Sequence, residues 1–413
     1  MKIYFDTLEL DQSNLQQFES HGSSTWWLTS PGSILKRELR SMGIEYHKLS
    51  DWNECGLYFI DVNGDPNWWS GENKGTGPKH ILQMVPADLL EQVKLKKLRL
   101  VILADKEGGP MVTNHYDVFR ATTEIMRERK YPKNSVLILQ GNTKIEADYN
   151  AWLEKNMEDR LFDVQYSNHF GKIFFDNKMP ERPCIYDAMY NPESKDFNSL
   201  NRVYRPHRGA HLYYLAKNNL LDKGRVSCNQ LKENDILSAR LAGINPSEFT
   251  ELMKQHYPLY LDGNWENTNA AWNYNAELYQ NTLLTIITET IFIDNSSFVT
   301  EKIFKPIALG HPFLLIAGSG TIKGLEELGF KCDFLGFGTE YDSIEDPKTR
   351  FDEIHNILET WVSLDRDEKL KRIGDSFENI IHNWEHLRKS SFYHDALSSA
   401  IQKGKEYFNE AVQ

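Results

Sequence analysis

The sequence predicts an α/β protein of two open, mainly parallel-sheet domains followed by a helical tail. Three observations carry this. At 413 residues the chain has room for two hydrophobic cores. Short, nearly unbroken apolar runs alternate with helical patterns, as parallel strands covered on both faces require. The alternation occurs twice, and the polar stretch DNKMPERPCIYDAMYNPESKD at 176–196, with its three prolines, reads as the linker between the two rounds. The expected boundaries are 1–180, 181–364 and, for the tail, 365–413.

In the first domain KIYF (2–5), LYFIDV (57–62), LRLVILA (98–104) and SVLILQ (135–140) read as strands. Between them SILKRELRSM (33–42), PADLLEQVKL (86–95) and YDVFRATTEIMRER (116–129) have helical spacing. The second domain opens with FNSLNR (197–202), followed by a helix at HRGAHLYYLAKNN (207–219) and one long strand, LLTIITETIFI (283–293). EKIFKPIALG (301–310) is a helix, HPFLLIAG (311–318) a strand and TIKGLEELGF (321–330) a helix. From about 351 onward the pattern is helical. Sheets of this kind bind ligands beyond the carboxyl ends of their strands, so a cleft lined by strand ends is expected.

Composition narrows the function. The net charge of −12 disfavours nucleic acid except at local basic segments, KLKKLR (94–99), RERKYPK (127–133) and RVYRPHR (202–208). The four cysteines lie far apart with no CxxC pair, which points to neither zinc nor disulfides but to a reducing compartment. The start MKIYFDTLELDQ lacks the apolar core of a signal peptide, and no apolar run approaches a bilayer span, so a cytoplasmic protein is expected.

Several motifs place acids or glycines at strand ends. LRLVILADKEGGP (98–110) carries Asp105 and Glu107 just past a buried strand, where a partly buried carboxylate can serve as a general base. FIDVNGDPN (59–67) holds Asp61, Asn63 and Asp65 but lacks the glycine and glutamate of a calcium loop, and reads as a polar turn. GSGTIKG (318–324) is one residue off the dinucleotide fingerprint and comes late in its domain. Its glycines are expected to open a helix whose N-terminus faces some anion.

Two further stretches share one chemistry. NRVYRPHRGAH (201–211) packs three arginines and two histidines around Pro206, a good first residue for a helix. Arg205 and Arg208 then stand at a helix N-terminus, where guanidinium forks and free N–H groups both favour phosphate. Glu289, inside TET at 288–290, is a carboxylate in an otherwise apolar run and needs partners if buried. In FVTEK (298–302) Thr300 is a good N-cap and Glu301 suits a first turn, but Lys302 opposes the helix dipole. A bound diphosphate reverses the sign for Lys302, and Glu301 can accept hydrogen bonds from ribose hydroxyls. Pro306 within this helix removes a backbone donor.

FVTEKIFKPIALGHPFLLI, with the acid before it and the arginine cluster upstream, resembles the donor-binding segment of the family-10 α1,3-fucosyltransferases. The chain is more closely similar to a family-10-like group of phages and marine microbes. That group shares the block T-E-K-x-F-K-P-I-A, the segment R-P-H-R, LDKGRVS (221–227) and YDSIEDPKTR (341–350). The likeness covers mainly 195–360. It implies the GT-B fold, two Rossmann-like domains facing a central cleft, and a metal-independent, inverting glycosyltransferase with a nucleoside diphosphate sugar as co-substrate and no cofactor. It implies Glu301 on the donor ribose, Lys302 and Arg205 or Arg208 on the diphosphate, and Thr300 beside them. It also implies a catalytic base in the first domain, with Glu107 the candidate and Asp105 the second. Phe298 stands where the fucosyltransferases have Tyr, and Thr290 where they have Asn, which leaves donor base and sugar open. Phage members of the group imply double-stranded DNA with 5-hydroxymethyl pyrimidines as a partner, for example in arabinosyl transfer to hydroxymethylcytosine. A glycan fucosyltransferase, a noncatalytic nucleotide-sugar or nucleic-acid binder, and a dinucleotide oxidoreductase are the alternatives.

Overall fold

The computed structural model describes residues 1–5, 38–47, 54–61, 80–104, 108–113, 116–168, 179–228, 231–259, 275–293 and 296–410. The chain divides into two compact units, Met1–Lys172 with Ser391–Gln413, and Ile173–Ser390.

In the first unit β1 (Lys2–Phe5), β2 (Tyr46–His47), β3 (Gly56–Asp61), β4 (Leu98–Ala104), β5 (Val136–Gln140) and β6 (Asp163–Tyr166) form one parallel sheet, ordered β2-β1-β3-β4-β5-β6. Helices α1 (Ile81–Met84), α2 (Ala87–Lys94), α3 (Val118–Glu128) and α4 (Ile145–Asn156) punctuate it. Side chains alternate across a strand, so β4 serves two cores. Leu98, Leu100, Ile102 and Ala104 join the cluster that holds Leu89, Leu90, Val93 and Phe119. Val101 and Leu103 join the cluster that holds Leu397, Ala400 and Ile401 of the last helix (Phe392–Glu410). That helix approaches the sheet at Gly404, where an added Cβ would stand 2.6 Å from a methyl of Leu57. Arg99, on the same face of β4 as Val101, is 1% exposed and is neutralised by Asp163 at 2.5 Å.

The second unit holds a parallel sheet of β7 (Phe197–Asn201), β8 (Gly224–Cys228), β9 (Thr285–Thr288) and β10 (Phe313–Ile316), ordered β10-β9-β7-β8. Its helices are α5 (Ile185–Tyr190), α6 (Pro206–Lys217), α7 (Ile236–Ala242), α8 (Pro246–His256), α9 (Ala276–Gln280), α10 (Glu301–Ala308), α11 (Thr321–Glu327), α12 (Pro347–Ser363), α13 (Arg366–Asp375) and α14 (Phe377–Lys389). Asp or Asn caps α7, α8, α9, α12 and α13 through a side-chain bond to a first-turn N–H.

The α/β class with two Rossmann-like parallel sheets is the class read from the sequence. Three details differ. The expected long strand over 283–293 is only Thr285–Thr288. The amide of Glu289 makes a last bond to the Ile316 carbonyl at 2.9 Å, after which the amide of Thr290 turns to the Glu289 carboxylate at 3.0 Å. A side chain has taken over from the ladder. The stretch 176–196, read as a linker, is structured where described. It carries α5, and Cys184 packs with Leu278, Tyr279 and Leu309. The tail 365–413 is divided, α13 and α14 belonging to the second unit and the last helix to the first.

Candidate functional site

The order β10-β9-β7-β8 reverses at one place. From β7 the chain steps to β8 on one side, then returns to place β9 on the other. Beyond the carboxyl ends of two such strands the connections diverge and leave a crevice, the usual ligand position of an open parallel sheet. The RPHR segment leaves β7 there, and Glu289 leaves β9.

Arg205 is the N-cap of α6 with extended backbone and no side-chain cap, and Pro206 opens the helix. Arg205 is exposed and forms no ion pair among the described residues. Arg208, one turn on, is only 4% exposed. It donates to the carbonyls of Val203 (2.7 Å), Thr288 (3.0 Å) and Glu289 (3.2 Å). His207 Nε2 also donates to the Glu289 carbonyl, at 2.7 Å. Arg208 Nε has no hydrogen-bond partner, and no carboxylate pairs with the guanidinium among the described residues. Burial lowers its pKa to about 10, with the Glu289 carboxylate opposing that fall. A buried cation held by carbonyls alone is under-compensated and favours a nearby anion.

The other wall hangs on Glu289, which is fully buried. Its carboxylate accepts from the Thr290 amide at 3.0 Å, the Thr300 amide at 3.1 Å and the Thr300 hydroxyl at 2.7 Å. Burial raises its pKa, and Lys302 opposes the rise. Thr300 caps α10 by accepting from the Lys302 amide at 3.3 Å. Glu289 thus joins the walls, its carbonyl holding Arg208 and its carboxylate holding the start of α10.

On α10, Glu301 and Lys302 pair at 2.9 Å, and the ammonium also reaches the hydroxyls of Thr300 (3.1 Å) and Thr290 (3.2 Å). The sequence reading required an external anion to explain Lys302. The structure corrects this, because three oxygens of the chain already surround the ammonium. Burial pushes the Glu301 pKa up, but the charge and hydrogen bond of Lys302, together with Lys305, outweigh it and hold the carboxylate below its ordinary range. The pair is part-exposed, Glu301 at 14% and Lys302 at 27%. Phe298, just before the cap of this helix, is buried.

The remaining candidates fall elsewhere. Asp105 and Glu107 lie outside the described residues, as do Asn63 and Asp65. The anion expected at GSGTIKG is internal. Asp342 accepts from the amides of Ile322 and Lys323, both at 3.1 Å, and so occupies the start of α11. Arg350, 1% exposed, donates to the carbonyls of Ala317, Ile344, Glu345 and Phe292. YDSIEDPKTR is therefore structural at these two residues. Sequence reasoning missed Tyr204, His207, Asp342 and Arg350 as residues that shape these strand ends. All four lie in quoted motifs, the first two in RVYRPHR and the last two in YDSIEDPKTR, but no local pattern gave their partners.

The arginines of the first two basic segments are committed, while Lys96 and Lys130 are exposed. Arg99 is on Asp163, Arg127 on Glu158 and Lys94 on Glu91, while Arg129 donates to the carbonyls of Leu82 and Val85. The first of these segments runs into β4 and the second precedes β5, at the amino ends of those strands, while the third follows β7. Among the described residues no group of three or more His, Cys, Asp or Glu could hold a metal ion, and no helix is long and apolar enough to cross a membrane.

No protein-family model matches the chain, and no curated protein matches it. Solved structures do. The N-terminal domain of a Candida albicans trehalose-6-phosphate phosphatase is similar at 10% identity over 91% of this chain and 74% of that one, with a TM-score of 0.45. An E. coli trehalose-6-phosphate protein bound with UDP-2-fluoro glucose is similar at 11% identity over 91% and 80%, with a TM-score of 0.42. An α,α-trehalose-phosphate synthase (UDP-forming) from Burkholderia vietnamiensis is similar at 12% identity over 95% and 84%, with a TM-score of 0.41. The fold described above stands on its own two sheets and their strand orders.

Proposed function

We propose that the chain is a GT-B glycosyltransferase that moves a sugar from a nucleoside diphosphate sugar to an acceptor hydroxyl. One observation carries the reading: at the strand-order reversal of the second sheet, Glu289 holds Arg208 of α6 by its carbonyl and, by its carboxylate, the Thr300 that opens α10 and precedes Glu301 and Lys302. An under-compensated buried guanidinium, an exposed one and a helix start suit a diphosphate. A part-exposed carboxylate of lowered pKa suits ribose hydroxyls.

The reaction is a single displacement with inversion. The acceptor oxygen attacks the anomeric carbon, and its proton passes to Glu107, with Asp105 the second candidate. The bond from the anomeric carbon to the phosphate oxygen breaks, and its electron pair leaves on the diphosphate. Arg205, Arg208 and Lys302 stabilise that charge, a role that needs no metal. Lys302 exchanges a threonine hydroxyl for a phosphate oxygen as the donor enters.

The acceptor proposed from the resemblance is a 5-hydroxymethyl pyrimidine in DNA. A second reading, a glycan hydroxyl, is favoured by the committed arginines of the segments 94–99 and 127–133 and by the place of those two segments at the amino ends of β4 and β5. The deciding experiment incubates the protein with a panel of nucleotide sugars and scores diphosphate release without acceptor, with hydroxymethylated duplex DNA and with glycans. Release stimulated by DNA, and steeply reduced by salt, supports the first acceptor; stimulation by a glycan alone supports the second. Donor binding without release from any acceptor makes the chain a noncatalytic binder. Glu301→Ala is expected to lose donor binding while keeping its circular dichroism and melting profile. Unchanged donor affinity in that variant removes the assignment.

A further inference from the structure

We infer that His355, His211, Ser199 and Asn201 form a one-way hydrogen-bond chain that positions Arg208 for the diphosphate. The inference rests on the donor reading above and says which residues behind the site keep its buried guanidinium in place. All four, with Thr288, are buried. The chain starts on α12, where His355 Nδ1 lies 2.7 Å from the carbonyl of Phe351. His355 Nε2 lies 2.9 Å from His211 Nδ1 on α6, and His211 Nε2 lies 3.1 Å from the hydroxyl of Ser199 on β7. Two residues on, along the same face of β7, the Asn201 amide donates to that hydroxyl at 3.1 Å, and its oxygen accepts from the Thr288 hydroxyl of β9. The Thr288 carbonyl accepts from Arg208 at 3.0 Å.

One group dictates the direction of every link. A carbonyl only accepts, so His355 carries its proton on Nδ1. In a neutral ring Nε2 is then bare and can only accept, so His211 also carries its proton on Nδ1. His211 Nε2 is bare in turn and takes the single hydroxyl proton of Ser199. Ser199 has only lone pairs left for Asn201, which turns the amide nitrogen to Ser199 and the oxygen to Thr288. Burial favours the neutral rings this needs, holding His211 well below the ordinary imidazole range and His355 down to about 4.

The last link stands where the sheet reverses its order. Strands β7 and β9 are in register at Asn198 and Thr285. Three residues further along both, at the crevice, the tie between them is the side-chain bond of Asn201 and Thr288. A fully bonded polar row has one arrangement and stiffens what it touches. Charge on a leaving group is stabilised best by donors already fixed in place.

The test uses the full chain with isotope-labelled histidine. Long-range nitrogen–proton correlation near neutral pH, assigned with His211→Gln and His355→Gln, should show both rings neutral and protonated on Nδ1. A charged or Nε2-protonated ring at either residue refutes the chain. Calorimetric titration with inorganic pyrophosphate and UDP then compares wild type with Ser199→Ala, Asn201→Ala and Asp342→Ala, each checked by circular dichroism. The two chain variants should each weaken both ligands by about fivefold, the effect of one lost neutral hydrogen bond. Asp342→Ala loosens the same unit elsewhere and should leave both affinities unchanged. Pyrophosphate should also shift the His211 Nε2 resonance in wild type and not in Asn201→Ala, a response that a purely structural pair does not give. Unchanged affinities in both chain variants, an equal loss in Asp342→Ala, or a His211 resonance that pyrophosphate leaves unmoved overturns the inference, while the donor reading stands because wild type still binds. If wild type binds neither ligand, the donor reading itself fails, and the positioning role with it.

Discussion

Glu289→Gln isolates the residue that joins the two walls. The amide has nearly the shape of the carboxylate, so packing is preserved. It has one carbonyl oxygen with two lone pairs, where the carboxylate accepts three bonds, from the Thr290 amide, the Thr300 amide and the Thr300 hydroxyl. The best placement puts the carbonyl where Oε2 now stands and keeps the bonds of 3.0 and 2.7 Å. The NH2 group then faces the Thr300 amide, donor against donor, and the bond of 3.1 Å is lost. An unmade buried bond costs about 1–3 kcal/mol, and the two retained bonds lose their charge assistance. Removing a carboxylate whose pKa burial raises returns part of that cost. The net expected is about 2 kcal/mol, or roughly a thirtyfold increase in local opening. Hydrogen exchange read by mass spectrometry should show it over 298–304, at the start of α10. The start of α6 serves as an internal control, since Arg208 and His207 are held by the Glu289 carbonyl, which the substitution keeps. Exchange over 298–304 within threefold of wild type would refute the role given to the carboxylate.

Two further predictions concern stability. In the second unit His207, His211, His311 and His355 are buried and held below the ordinary imidazole range, His311 and His355 down to about 4. Unfolded, each takes a proton below about 6.5. Their contribution is therefore complete above that pH and is lost as pH falls toward 4, by up to about 1.4 kcal/mol per unit for each. Urea midpoints at pH 7.5, 5.5 and 4.5 should fall more steeply for wild type than for His355→Gln, and equal slopes count against it. Asp342→Ala should destabilise the second unit by about 1–2 kcal/mol by uncapping α11. An unchanged urea midpoint would show that the Asp342 bonds to Ile322 and Lys323 contribute nothing.

The sequence by itself determined the elements whose cause is local. LRLVILA is a strand because seven apolar-rich residues must be covered on both faces, and all seven are buried. Pro206 opens α6 and Thr300 caps α10, because a helix start needs a residue that lacks or satisfies an N–H. The buried Glu289 announced that it required partners. Which partners these are, only the tertiary structure decided. That Thr300 meets the Glu289 carboxylate, that Arg208 meets the carbonyls of Thr288 and Glu289, and that Asp342 rather than a ligand fills the start of α11 all follow from strand order and the return of distant loops. Charge and capping preferences act over one helical turn, and they say which groups need compensation. The order β10-β9-β7-β8 minimises the free energy of a whole core, so no short window encodes it. Lys302 shows the difference. The sequence makes it a cation in need of an anion, and the fold surrounds it with Glu301 and two threonine hydroxyls.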